Sequence, residues 1–369
     1  MVQNGLIDQV TIAINKFKKL PKDNLIPRLL LGIKKQITNY PQFITLQTVS
    51  ACNLQCKHCF INDYQTEIED GITKIMKFDE FLKFAERMED IIRHAEYFSF
   101  SSFEALLNKH LFSMMDHLLM INPRLKFSML SNTMLLHDEN VKKLEAYPIS
   151  DLTISLDGMT KDVVENFKNG VHFEKIIEAI GRLNRSSLKD KVGVGFVAHQ
   201  NNIHQLPDYV DYVHSLGVKT IYVSNILTFT TKNAHLALYT KEGNETAEQL
   251  FAESIRRAKR NKQTLQLPLL KPKLKGCQAV ETFFVNIDGS VAPCDFLAVS
   301  TPFTLFGKTV KNAPQIFGNV LSDDPLEIYR SEPYQNFRKA HRLAKELPEA
   351  CKNCIDAYGL MCSNRTVYN

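Results

Sequence analysis

Between Phe43 and Val223 the sequence alternates between short β-branched or aromatic runs and longer stretches with helical periodicity. The strand runs are Phe43–Val49, Tyr97–Phe100, Lys126–Leu130, Leu152–Leu156, Val192–Val197 and Thr220–Val223. Helices are expected near 78–95, 105–120, 138–146, 172–184 and 207–216, between them. Repetition of this kind requires a parallel sheet with crossover helices, the α/β class. In such sheets function gathers at the C-terminal strand ends. Six units are too few to close an eight-stranded barrel.

The end of the first strand runs straight into Cys52-Asn53-Leu54-Gln55-Cys56-Lys57-His58-Cys59-Phe60. Three thiols within eight residues do not form a tidy disulfide set. Thiolates are soft ligands suited to iron–sulfur clusters or zinc. Read from the residues alone, a zinc site with a distant fourth ligand, or with His58, stays open. The spacing resembles the signature of the radical S-adenosylmethionine (radical SAM) superfamily. That resemblance implies an open, partial (β/α)6 TIM-like barrel. It implies that Cys52, Cys56 and Cys59 hold three irons of a 4Fe-4S cluster and leave the fourth iron to S-adenosyl-L-methionine (SAM). One electron from that cluster then cleaves SAM to methionine and a 5′-deoxyadenosyl radical, which abstracts hydrogen from an unactivated carbon.

Other strand ends extend the resemblance. In Ser101-Ser102-Phe103-Glu104-Ala105, Glu104 stands where the family has a glutamate that helps hold the methionine amine; the family's flanking glycines and proline are replaced. Ser131-Asn132-Thr133 is similar to a Ser/Thr-Asn-Gly stretch near the SAM ribose, with Thr133 in place of glycine. Ser155-Leu156-Asp157-Gly158 matches a common fourth-strand ending, which implies a SAM contact for Ser155; an Asp-Gly pair is also plain turn chemistry. Lys168-Asn169-Gly170 resembles a stretch whose basic residue meets the SAM carboxylate, although a solvated lysine explains it equally well. His199, Ser224 and Asn225 follow later strands and are weaker candidates. No general base is identified.

Of eight cysteines, five lie late: Cys277, Cys294, Cys351, Cys354 and Cys362. Asp288-Gly289 between two apolar runs signals a hairpin. The Gly289-to-Cys294 spacing, Phe317-Gly318-Asn319-Val320 and the closing Cys351-Lys352-Asn353-Cys354 resemble the SPASM/twitch extension of radical SAM enzymes, which carries auxiliary iron–sulfur clusters. The late cysteines suffice for at most one fully thiolate-ligated cluster. The resemblance assigns one auxiliary 4Fe-4S cluster to Cys277, Cys294, Cys351 and Cys354, with Cys362 left over. A structural zinc hairpin is the alternative.

These readings divide the chain into an N-terminal helical segment (1–41), a radical SAM core (42–226), a bridging segment (227–276) and an auxiliary-cluster domain (277–369). The basic first segment reads as a docking helix, with peripheral membrane contact as the alternative. The net charge of +5 over 369 residues does not argue for nucleic acid. No run of eighteen apolar residues and no signal peptide is evident, so a cytoplasmic, reducing location is expected.

An auxiliary cluster near the substrate implies an oxidoreductase-type reaction, with an external electron donor such as flavodoxin or ferredoxin. A sugar, polyol or aminocyclitol substrate is expected over a ribosomal peptide, because the first segment is shorter than a leader-binding domain. Peptide maturation by a thioether or C–C crosslink, or by epimerisation, is the alternative. A non-catalytic iron–sulfur or zinc protein is the third reading.

Overall fold

A computed structural model describes residues 39–59, 75–100, 103–228, 231–300, 302–361 and 366–368. Nearly all of the N-terminal segment, and Cys362, lie outside the described residues.

The strands are β1 (Phe43–Leu46), β2 (Gln55–Cys56), β3 (Tyr97–Ser99), β4 (Lys126–Ser131), β5 (Ile149–Ser155), β6 (Lys168–Asn169), β7 (Val192–Ala198) and β8 (Thr220–Asn225). They continue as β9 (Thr264–Leu267), β10 (Thr282–Val285), β11 (Ser290–Ala292), β12 (Pro302–Leu305), β13 (Lys308–Lys311), β14 (Gly318–Asn319) and β15 (Thr366–Tyr368). Eleven of these form one sheet in the order β14-β11-β10-β1-β3-β4-β5-β7-β8-β9-β15. From β10 to β9 every neighbouring pair is parallel. The six expected strands are β1, β3, β4, β5, β7 and β8, adjacent and in chain order. Their C-terminal ends therefore share one edge.

One face of the sheet is fully buried, while alternate side chains such as Lys126, Leu130, Thr153 and Ser155 stay partly or wholly accessible. Ile44, Leu46, Phe98, Phe127, Ile154, Val194, Phe196, Ile221 and Val223 are wholly inaccessible. Each such side chain contributes about 1.5–3 kcal/mol of apolar burial. The strands accordingly alternate buried apolar residues with accessible or polar ones. Gly193 in β7 has a packing reason: a Cβ there would stand 2.5 Å from the Tyr222 ring of β8. The missing side chain lets Tyr222 donate its hydroxyl to Asp151 Oδ2 at 3.0 Å.

The crossover helices bury one stripe each. Helix Phe78–Arg87 buries Phe81, Phe84 and Ala85, and helix Phe173–Asn184 buries Ile176, Ala179, Ile180 and Leu183. That three- and four-residue spacing is the helical face seen in the sequence. The expected helix near 78–95 divides in two, at Met88, with Glu89–His94 as the second piece. Helix Lys161–Phe167 was not expected. It is short and carries only Val164 and Phe167 as buried residues, too few for a clear period.

The bridging segment contributes helix Glu245–Arg260, capped by Asn244, whose side chain accepts the Ala247 N–H at 3.1 Å, and then β9, which extends the parallel sheet beside β8. On the opposite side β10 pairs with β1. The hairpin β10–β11 turns at Asp288-Gly289, with Gly289 at φ 88°. The Phe317–Val320 stretch supplies β14, which pairs with β11. The sheet thus runs without a break from the six-unit core into the cysteine-rich tail.

Candidate cluster and cofactor site

The cluster loop leaves β1 tied to the end of β3: the Thr48 N–H and hydroxyl both donate to the Phe100 carbonyl, at 2.9 and 2.8 Å. Further on, β2 pairs antiparallel with β6, placing Cys56 opposite Lys168. The Lys57 N–H donates to the Phe167 carbonyl at 3.0 Å, and the Cys59 N–H to the Cys56 carbonyl at 3.1 Å. From the far side, Asn233 Nδ2 donates to the Lys57 carbonyl at 2.7 Å. The loop is therefore held by backbone contacts at each of its turns.

Cys52, Cys56 and Cys59 are half-buried thiols that form no disulfide. Burial pushes the Cys56 thiol up to about 12; Lys168 opposes this, while the nearby Cys59 and Cys52 add to it. Burial also raises Cys52, against the hydrogen bonds that favour its thiolate. Three soft donors that sense one another but carry too little compensating positive charge suit a cationic iron–sulfur core, which binds thiolates and releases their protons.

Beside this loop Glu104, Ser131 and Asn132 form one group. Glu104 is 2% exposed. Its carboxylate accepts the Asn132 N–H at 2.8 Å, the Ser131 hydroxyl at 3.1 Å and the Leu106 N–H at 3.4 Å. Burial pushes its pKa up to about 7 in spite of these bonds. No lysine or arginine pairs with it among the described residues, so the group suits an incoming ammonium. Asn132 Nδ2 donates to Cys52 Sγ at 3.4 Å and to Asn53 Oδ1 at 2.7 Å, joining this group to the cysteine loop. Thr133, which replaces the family's glycine, sits at φ 75°. The glycine-like backbone is kept, with a β-branched residue in a conformation it seldom adopts.

Ser155 and Lys168 meet on the other side of the loop. Lys168 Nζ lies 2.8 Å from Asp157 Oδ2 and also donates to Ser155 Oγ at 2.5 Å. Asp157 Oδ1 accepts the Val197 N–H at 2.8 Å. Burial works to raise the Asp157 pKa, but Lys168 and His58 outweigh it and hold the carboxyl below its ordinary value. Lys168 is thus neither solvated nor unpaired: it is the cationic half of a buried pair. Sequence reasoning weighed Asp157 only as an even choice between site and turn.

His58 and His199 stack on Phe167, at centroid distances of 5.0 and 4.0 Å. Burial lowers both imidazoles to about 4, so both are neutral near pH 7. Phe167 escaped the sequence reading because its short helix did. Asn225 serves the fold instead, donating to the carbonyls of Leu269 and Leu360 at 2.9 and 2.8 Å.

The late cysteines form a second group. Cys351 belongs to a small apolar cluster with Val280, Leu297, Phe337, Leu347 and Ala357, and Cys277 and Cys294 pack against it. The Cys354 N–H donates to the Cys351 carbonyl at 3.0 Å, and Cys277 Sγ donates to Asp356 Oδ2 at 3.2 Å. Burial pushes Cys351 up to about 12 and Cys354 to about 11, and raises Cys294 further, with Asp295, Cys354 and Cys351 adding to it. Gly276, before Cys277, has φ 71°, and a Cβ there would stand 2.0 Å from the His341 carbonyl. Among the described residues no three Cys, His, Asp or Glu side chains close around a single ion. A cubane cluster differs in that each thiolate binds its own iron.

Known proteins extend these observations. The sequence pattern of the radical SAM superfamily matches residues 46–213, and that of the iron–sulfur cluster-binding domain SPASM matches residues 277–355. A tungsten-containing aldehyde ferredoxin oxidoreductase cofactor-modifying protein from Pyrococcus furiosus is 27% identical over 80% of this chain and 83% of its own length. The mycofactocin maturase MftC of Mycobacterium ulcerans is 23% identical over 52% of this chain, which spans 49% of that protein. Streptococcus suis SuiB bound to S-adenosylmethionine shares the fold, with a TM-score of 0.60 at 13% identity over 95% of this chain and 82% of its own. So does anSMEcpe with bound AdoMet and a peptide, with a TM-score of 0.60 at 18% identity over 87% and 88%. No helix among the described residues is long and apolar enough to cross a membrane. The chain belongs to the radical SAM superfamily: it is a radical SAM enzyme that uses SAM and a 4Fe-4S cluster and carries a SPASM iron–sulfur domain.

Proposed function

We propose that this enzyme is a maturase that oxidatively modifies a peptide, and that Cys52, Cys56 and Cys59 hold the SAM-binding cluster while Cys277, Cys294, Cys351 and Cys354 hold an auxiliary one. When bound, the first cluster with SAM supplies a 5′-deoxyadenosyl radical, and the auxiliary cluster supplies a site for the second electron of a two-electron oxidation.

The chain's own residues bind and orient. Glu104 takes the SAM ammonium, being a buried carboxylate with no lysine or arginine partner among the described residues. Ser131 and the Asn132 N–H hold Glu104, and Asn132 Nδ2 fixes the loop at Cys52. Lys168, anchored by Asp157 and Ser155, holds β6 behind Cys56. Neutral His58 and His199 with Phe167 give the loop an apolar, water-poor flank. An outside protein such as flavodoxin or ferredoxin delivers the electron.

The observation that carries the peptide reading is the activity named for the relatives: one matched over most of both chains is a cofactor-modifying protein, and another is a maturase. The neighbours SuiB and anSMEcpe were also captured with a precursor peptide or a peptide. A sugar, polyol or aminocyclitol substrate is the alternative reading.

The test is anaerobic turnover with SAM and a reductant, offering candidate precursor peptides encoded beside the gene and, separately, a panel of polyols and aminocyclitols. Peptide-dependent 5′-deoxyadenosine together with loss of two hydrogens from the peptide supports the maturase. Turnover that depends on a polyol and ignores every peptide would replace it with the small-molecule reading.

A further inference from the structure

Helix Glu332–Leu343 walls the region of the late cysteines. Its Phe337 belongs to the apolar cluster that contains Cys351, and its His341 carbonyl abuts Gly276, the neighbour of Cys277. On the same helix Arg338 is 3% exposed. Its guanidinium lies 3.9 Å from the Tyr329 ring centroid and 4.3 Å from that of Tyr334. Nη2 donates to the Tyr329 carbonyl at 2.6 Å. Nε and Nη1 are buried with no hydrogen-bond partner, and no carboxylate pairs with Arg338 among the described residues. Arginine does not lose its proton inside a protein. A buried cation without an anion is costly, so this position calls for negative charge nearby.

Among the described residues no carboxylate supplies that charge, and a bound cluster would. Tyr334, packed against Arg338, stacks on Phe317 at 4.3 Å, and Phe317 in turn packs against the apolar cluster beside Cys277 and Cys294. Four thiolates on a 4Fe-4S core leave a net negative charge, which grows on reduction.

We propose that Arg338 is the buried countercharge of the auxiliary cluster and holds its reduction potential above the value the same four thiolates would give without it. This rests on the auxiliary ligand set proposed above. A fixed cation favours the reduced, more negative form, and burial leaves its field little screened by salt. The aromatic sandwich keeps the guanidinium in place, since arginine stacks well on ring faces.

The experiment is an EPR-monitored redox titration of the full, anaerobically reconstituted chain, as wild type, Arg338→Met and Arg338→Lys. The auxiliary couple is expected to move to more negative potential in Arg338→Met and to stay near wild type in Arg338→Lys. The couple of the SAM-binding cluster should not move in either, which makes it the internal control. An auxiliary couple unchanged in Arg338→Met overturns the proposal. If Arg338→Met loses the auxiliary iron, Arg338→Lys decides: iron retained at the wild-type potential supports a role for charge, and iron lost again overturns it in favour of packing. The ligand set is checked separately by Cys294→Ala, which abolishes the auxiliary signal if the assignment is right and leaves it if the assignment is wrong.

Discussion

Lys168 Nζ lies 2.8 Å from Asp157 Oδ2, with the two side chains 3% and 1% exposed. The pair joins the end of β5 to β6, whose backbone holds Cys56 through the β2 pairing. Removing one partner of such a pair strands a buried charge and costs about 3–5 kcal/mol. We expect Asp157→Asn and Lys168→Met each to lower the thermal midpoint and to lose iron from the SAM-binding cluster selectively. The double variant should recover part of the stability. Differential scanning fluorimetry with iron counting checks this, and single variants with unchanged midpoints would remove the anchoring role.

The two cysteine groups should empty independently. Reconstituted wild type should hold about eight irons, and the triple variant of Cys52, Cys56 and Cys59 to Ala about four. The triple variant should also lose 5′-deoxyadenosine formation and the SAM-dependent change in the EPR signal. About four irons in the wild type and none in the variant would dismiss the auxiliary cluster.

Cys354→Ala should do the converse. It is expected to keep reductive SAM cleavage but lose the oxidised product, with about four irons remaining. Product analysis by mass spectrometry decides, and full product yield would remove the second-electron role.

Glu104→Gln should leave iron content intact and weaken SAM binding by about 10- to 100-fold, the loss of one charge-assisted hydrogen bond of about 1.5–3 kcal/mol. The pH dependence follows from a folded-state pKa raised to about 7 against an ordinary value of 4.5. The protonated acid is the form the SAM-free fold prefers. Its stabilising effect is complete below about 4.5 and is lost as pH rises through about 7. Binding an ammonium needs the carboxylate, so SAM affinity should rise across the same window. Both slopes should disappear in Glu104→Gln, as read by thermal melts and by equilibrium binding from pH 5.5 to 8, a window of about two and a half units around that titration.

Thr133 at φ 75° carries a conformational cost of roughly 1–2 kcal/mol, part of which glycine would offset through its looser unfolded state. Thr133→Gly should therefore be neutral to stabilising by about 1 kcal/mol, and Thr133→Ala should bring little gain. A clear destabilisation by glycine in denaturant melts would mean that the Thr133 side chain, whose hydroxyl bonds the Asn132 carbonyl, outweighs the strain.

The alternation of strands and helices was legible because each strand carries a period-two set of buried apolar residues, such as Phe127 and Met129 in β4 or Ile221 and Val223 in β8, between stretches of helical period. The Cys52-Cys56-Cys59 and Cys351-Cys354 spacings were legible because each falls within one short stretch of chain. Helix Lys161–Phe167 was not, since one buried turn has no period to detect.

The sequence by itself determined the sheet class, both cysteine sets and the strand end on which Glu104 sits, because these depend on residue type and spacing along the backbone. Only the tertiary structure decided what each polar group faces. It paired Lys168 with Asp157, buried Glu104 with no cationic partner among the described residues, tied Asn132 to Cys52 and enclosed Arg338 between two tyrosines. The physical reason is that burial and charge pairing are set by segments remote in sequence: Asn132 is 80 residues from Cys52. A side chain's own neighbours in the chain do not report its dielectric surroundings or its countercharge.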